Sequence, residues 1–132
     1  MIVDTSAWVA LFRATSSPAH QRLRLALRRR EPVFMVEVVY QELLQGARDA
    51  AHFIRLQTEL DALPVWNAAD SLELHRQAAM LYARCRWRGL TVRSPHDCVI
   101  AASAVESGLT LLHDDRDFVA LAAAEPRLTF VT

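Results

Sequence analysis

Six carboxylates stand out by where they fall along the chain: Asp4, Glu42, Asp97, Asp114, Asp115 and Asp117. Asp4 closes a short apolar run, Met1-Ile-Val-Asp4, and three acids follow another in Leu111-Leu-His-Asp-Asp-Arg-Asp-Phe118. Asp97 opens a helical pattern ahead of that second run. In open parallel sheets, ligands bind beyond the carboxyl ends of the strands, near the point where strand order reverses. If the two runs are neighbouring strands, their acids converge on one edge. Glu42 is the sharpest single case. At about 100° per residue, a helix over 37–48 puts Val38, Val39, Leu43, Gly46 and Ala47 on one arc that also contains Glu42. Glu37, Gln41, Gln45 and Arg48 gather opposite. A carboxylate on the core side is costly unless it is paired or holds a cation.

Gathered carboxylates repel and cannot all stay ionised without compensation. Lysine is not available, because all fifteen basic residues are arginine. The compensation that fits is a hard divalent cation, Mg²⁺ or Mn²⁺, held by oxygen ligands. Such a centre activates water and stabilises an in-line phosphoryl displacement, which makes the chemistry hydrolysis of a phosphodiester or phosphomonoester. Each acid also has a plainer use. Ser94-Pro-His-Asp97 reads as a capping box with proline at the first helical position. Asp114-Asp-Arg-Asp117 reads as a helix cap followed by a third-position acid, and Asp4 as a strand-end turn residue. Four elements placing acids at one edge weigh against all of these at once.

The framework that must position these acids alternates strands and helices. At 132 residues, 52% of them hydrophobic, the chain has the size of one domain and enough apolar surface for a core. Brief apolar runs at 1–4, 33–36, 63–66, 109–112 and 128–131 predict five strands of a parallel sheet, with Pro64 marking an edge. Helical patterns cover about 5–13, 18–30, 37–47, 49–61, 68–88, 95–107 and 116–124. Gly89 and Gly108 fall where left-handed residues end helices. The expectation is a single α/β domain over 1–132, a parallel sheet sandwiched by helices in three layers.

Composition narrows the function. Without lysine there is no Walker A loop, no Schiff base and no receiver-type phosphoacceptor site. No Gly-x-Ser-x-Gly elbow is present, and the second aspartate that a haloacid-dehalogenase phosphatase needs two residues after Asp4 is Ser6. Setting the six acids aside leaves fifteen arginines against nine other acids, with clusters at Arg22–Arg30 and Arg84–Arg93. Positive surface around an acidic pocket suits a nucleic-acid backbone, although Arg22–Arg30 also alternates with leucines as a solvated helix face does. Cys85 and Cys98 match no metal spacing and read as buried thiols. No apolar run reaches the roughly 18 residues of a membrane span, and the first residues lack a basic n-region, so the expected setting is the cytoplasm.

Four blocks then acquire a common meaning. Met1-Ile-Val-Asp-Thr-Ser-Ala-Trp8, Val39-Tyr-Gln-Glu-Leu-Leu-Gln-Gly46, Ser94-Pro-His-Asp-Cys-Val-Ile-Ala-Ala102 and Leu111-Leu-His-Asp-Asp-Arg-Asp-Phe118 resemble the signature blocks of PIN-domain ribonucleases, and more narrowly those of VapC toxins from type II toxin–antitoxin modules. The resemblance spans nearly the whole chain, in the family's order. It implies a five-stranded PIN-like sheet and an endoribonuclease using Mg²⁺ or Mn²⁺. It makes Asp4, Asp97 and Asp115 metal ligands, adds Glu42 to the catalytic set, and gives Thr5, Ser6 and Asp117 supporting roles. It also implies a homodimer and a cognate antitoxin whose tail blocks the site. Asp114 departs from the pattern, standing where the family is variable and often not acidic. The alternatives are a PIN-like nuclease acting on other nucleic acid outside any toxin module, and a non-catalytic binding module whose acids are all caps.

Overall fold

The computed structural model describes residues 1–132. Its elements run β1 (Ile2–Val3), α1 (Thr5–Phe12), α2 (Pro18–Arg28), α3 (Glu37–Gln45), α4 (Ala50–Asp61), α5 (Ser71–Trp87), α6 (Pro95–Ser107), β2 (Leu111–Leu112) and α7 (Asp117–Ala124). Local chemistry accounts for most helix starts. Ser17, Asp49 and Asp70 each accept a hydrogen bond from the backbone N–H three residues on, satisfying a donor that a helix start leaves orphaned. Pro18 and Pro95 occupy first-turn positions, where a missing N–H costs nothing. At the other end of α6, Gly108 sits at φ 71°, where a side chain would be strained.

The two strands are parallel neighbours, Ile2 opposite Leu111 and Val3 opposite Leu112. Asp4 N–H extends the ladder by donating to the Leu112 carbonyl at 2.8 Å. Both strands are fully covered, as continuous apolar runs in parallel sheets are. The remaining expected strands require correction, because the regular sheet has two strands and not five. Segments 33–36, 63–66 and 128–131 join it through three isolated parallel bridges, Ile2 with Phe34, Met35 with Val65, and Leu111 with Phe130. Their spatial order is the one a five-stranded parallel sheet would have, but the ladders are too short to count as strands. At Val65 the reason is visible. Trp66 N–H donates to the Met35 carbonyl at 2.8 Å, and the next donor back along that ladder is Pro64, which has no N–H.

Packing divides by composition. On α2 the buried residues are Ala19, Leu23 and Ala26, one stripe of a helix whose other faces carry arginine and glutamine. On α6 the whole middle is buried, from Cys98 through Ala104 with only Val99 partly open. Its alanines allow the close approach of α5, the most extensive helix contact in the fold, and α7 packs on both. Deleting the fully buried Ile100 side chain to alanine would cost about 2–5 kcal/mol, because neighbouring alanines cannot fill the void. The long buried α6 thereby fixes the position of its own first turn, which carries Asp97.

Candidate active site

Because β1 and β2 are parallel neighbours, Asp4 and the loop after Leu112 emerge at the same sheet edge. Asp4 caps α1, and its Oδ2 accepts from Ser6 N–H at 2.8 Å and from the Ser6 hydroxyl. Ser6 Oγ in turn accepts from Asp114 N–H at 2.8 Å, tying the start of α1 to the β2 loop. The other Asp4 oxygen, Oδ1, is buried with no hydrogen-bond partner. A buried carboxylate oxygen left bare is expensive, and here no cationic side chain reaches it. Burial pushes the Asp4 carboxyl up to about 6, against the opposing pull of the Ser6 bonds.

Asp97 projects from the first turn of α6 and is 9% exposed. The Ser94 side chain forms no capping bond, so the capping-box reading of this turn is not realised. Burial first, then the charges of Asp4, Asp115, Glu42 and Asp117, push Asp97 up to about 7. Carboxylate oxygens of Asp97, Asp115 and Asp117 lie within 4.8 Å of one another, a spacing that admits a cation. Glu42 lies on the half-buried side of α3, where Oε1 accepts from the Thr5 hydroxyl at 3.0 Å. Its Oε2 faces His96 Nδ1 at 3.9 Å. Glu42 is thus half-buried beside buried Val39 and Leu43, while Gly46 of the expected arc is exposed and Leu44, outside it, is buried. Asp114 is exposed and contributes only its backbone N–H.

Every site residue singled out in the sequence is thus drawn to one edge, with Asp114 at its margin. Arg93 was seen there only as surface charge. It donates through Nε to Asp117 Oδ2 at 2.9 Å and through a terminal nitrogen to Asp115 Oδ1 at 3.0 Å. Asp117 N–H also donates to Asp115 Oδ1, and the Arg93 hydrogen bond holds the Asp117 carboxyl below its ordinary range. No local spacing in the sequence signals this clasp, since its partners lie 22 and 24 residues on. Asp4 and Asp97 receive no such cation.

Residues 1–124 match the PIN domain family. The chain belongs to that family. It is 39% identical over 123 residues to a VapC ribonuclease of Mycobacterium bovis and to Ribonuclease VapC11 of Mycobacterium tuberculosis, covering 92% of this chain and 91% of each relative. Among solved structures, VapBC2 from Rickettsia felis bound to a DNA fragment from its promoter superposes with a TM-score of 0.69 at 18% identity, over 98% of this chain and 96% of that one. FitAcB from Neisseria gonorrhoeae superposes with a TM-score of 0.64 at 16% identity, over 99% and 96%. These structures establish a PIN-like α/β architecture. No helix of this PIN domain is long and apolar enough to cross a membrane.

Proposed function

We propose that residues 1–132 form a single PIN domain acting in the cytoplasm as the endoribonuclease toxin of a type II toxin–antitoxin pair. Its likeness to VapC ribonucleases supports the RNA substrate, and its likeness to VapBC2 supports an antitoxin partner. The observation that carries a hydrolytic metal centre is the bare, buried Asp4 Oδ1 beside a raised Asp97 carboxyl. This donor set is all oxygen, as Mg²⁺ or Mn²⁺ prefers. In this reading Asp4, Asp97 and Asp115 hold the ion. When bound, such an ion supplies Lewis-acid polarisation of a phosphoryl oxygen and a more acidic water.

The chain's own residues do the rest. Ser6 locks one Asp4 oxygen so that the other faces the site. Thr5 orients Glu42 through Oε1, leaving Oε2 to accept a proton from the attacking water. Asp117 restrains the Asp115 carboxylate through its backbone N–H and shares Arg93 with it. The exposed apolar side chains Phe12, Phe53 and Trp87 are surface that a second copy and an antitoxin would cover.

Purified protein should cut single-stranded RNA in Mg²⁺ or Mn²⁺ and stop in excess EDTA, with matching DNA left intact. Full cleavage in EDTA would overturn the metal centre. Equal cleavage of DNA would favour a PIN-like nuclease outside a toxin module.

A further inference from the structure

Next to the acidic centre, the start of α3, the segment at Trp66, the first turns of α5 and the first half of α6 border an open cavity of about 680 Å³. Trp66, Asn67, Gln41, His75, His96 and Glu37 line it over an aliphatic floor. His96 belongs to both places, since it precedes Asp97 and its Nδ1 faces Glu42 Oε2 at 3.9 Å. The cavity therefore adjoins the proposed site of phosphodiester cleavage, with His96 between them.

Its chemistry selects an occupant. No arginine lines it, and Glu37 adds a carboxylate at its edge, so nothing in it favours a phosphate. Two side-chain amides and two imidazoles offer the donors and acceptors that read base edges, and an indole offers a stacking surface. Trp66 is held in place, because its backbone N–H donates to the Met35 carbonyl at the outermost bridge of the sheet, and its ring is only half-buried. His75 Nδ1 lies 2.7 Å from the Ser71 carbonyl. A carbonyl only accepts, so Nδ1 carries the proton in this contact and the ring orientation is fixed by it. The volume falls within the range of roughly 300–1,000 Å³ typical of small-ligand sites, ample for a nucleoside.

We propose that this cavity takes the base and ribose of one unpaired nucleotide flanking the scissile bond, with Trp66 stacking on the base and Gln41 and Asn67 setting which base is preferred. The proposal rests on the RNA-cleavage reading above. It makes these three residues determinants of specificity that do not touch the reacting phosphate.

Abasic scanning tests it. The wild-type protein, in Mg²⁺, is given a preferred RNA oligonucleotide carrying one abasic nucleotide at successive positions around the cut. An abasic nucleotide at one position adjacent to the cut should raise KM about tenfold, the scale of one lost base–aromatic stack. Trp66→Leu should raise KM similarly on intact RNA and add nothing on the abasic RNA, and Trp66→Phe should recover most of the loss. Gln41→Ala and Asn67→Ala, on accessible side chains, should flatten base preference at that position in a random RNA pool while kcat stays within about threefold. Unchanged KM and unchanged preference in all four variants would overturn the proposal while the nuclease reading stands. KM changes that track a shift to monomer in light scattering would also overturn it, because the cavity would then be covered by a second copy. A wild-type protein that cuts no RNA would remove both readings together.

Discussion

Glu125 and Asp97 are buried to a similar degree, 5% and 9% exposed, yet their carboxyls are displaced in opposite directions. Glu125, just past α7, accepts from Arg127 through Nε and a terminal nitrogen, both at 2.9 Å, and from Arg84 of α5 at 3.3 Å. The Arg127 bonds hold it down at about 2. Asp97 is pushed up to about 7 by burial and by the other acids. Arginine is not scarce in this chain, so the bare carboxylates of the acidic edge are not explained by a lack of cations. One buried acid is satisfied from within and holds α5 to the end of α7. The other is left for a charge that the chain does not supply.

Removing each acid should separate the two roles most sharply. Asp4→Asn and Asp97→Asn should each lower the RNA cleavage rate by about 100-fold or more, the scale of several kcal/mol of lost charge stabilisation. Both variants should remain folded. Glu125→Gln should leave the rate per folded molecule unchanged and lower unfolding stability by about 1 kcal/mol, since Glu125 is buried but the Arg127 and Arg84 side chains it binds are 69% and 34% exposed and recover water. Initial rates beside urea denaturation decide this. A Glu125→Gln protein of unaltered stability would show that its clasp is ornamental.

The pH dependence should differ in sign as well. For Asp97 and Asp4 the folded carboxyl binds its proton more tightly than the unfolded one, so the metal-free protein is most stable in acid. Stability should fall as pH rises from about 4 to about 7, by on the order of 2 kcal/mol, and then level off. Asp97→Asn should remove most of that decline, and saturating Mg²⁺ should reverse it. Glu125 acts the other way, with its stabilisation present above about 4.5 and lost as pH falls towards about 2. Urea midpoints in EDTA at several pH values, with Asp97→Asn and Glu125→Gln as controls, read both. A flat wild-type profile between pH 4 and 7 would contradict the strain assigned to the acidic edge.

The same contrast marks what was legible in the sequence. Helix positions followed from periodicity and caps, and all seven lie within a few residues of the expected bounds. Asp4, Glu42, Asp97, Asp115 and Asp117 were legible because strand ends and helix faces fix where a side chain emerges, and those positions depend on local pattern alone. Strand extent was less so, because an apolar run of four residues reads the same whether it makes a ladder or one bridge. Arg93 and Glu125 were missed for a common reason. Asp115 lies 22 residues from Arg93 and Arg84 lies 41 from Glu125, pairings set by tertiary packing that no local period reports, and the nearby Arg127 matters only because that packing buries Glu125. Ser6 was anticipated as a support for Asp4, but its second bond, to Asp114 N–H 108 residues on, was not.

The smallest effects belong to the three acids after β2, which sit between the two extremes. Asp115 and Asp117 share Arg93, while Asp114 has no side-chain partner. Asp115 is the more open of the Arg93-bound pair, with one oxygen committed to Arg93 and to Asp117 N–H and the other uncommitted. Its neutralisation should cost the most of the three, about 30-fold or more in cleavage rate, as the loss of an ion ligand. Asp117→Asn should fall between, because its carboxylate acts by holding Arg93 and the turn. Asp114→Asn should cost threefold or less, about 0.7 kcal/mol, since the backbone N–H that meets Ser6 survives the change. What remains is its contribution to the negative potential that draws a cation, and that contribution is screened over a Debye length of about 10 Å at 0.1 M salt. Mg²⁺ titrations of activity should therefore show a weaker apparent affinity for Asp114→Asn at low salt and none of that difference near 0.5 M. If Asp114→Asn is instead the most damaged of the three at saturating Mg²⁺ and high salt, the assignment of this block to the site is out of register by one residue.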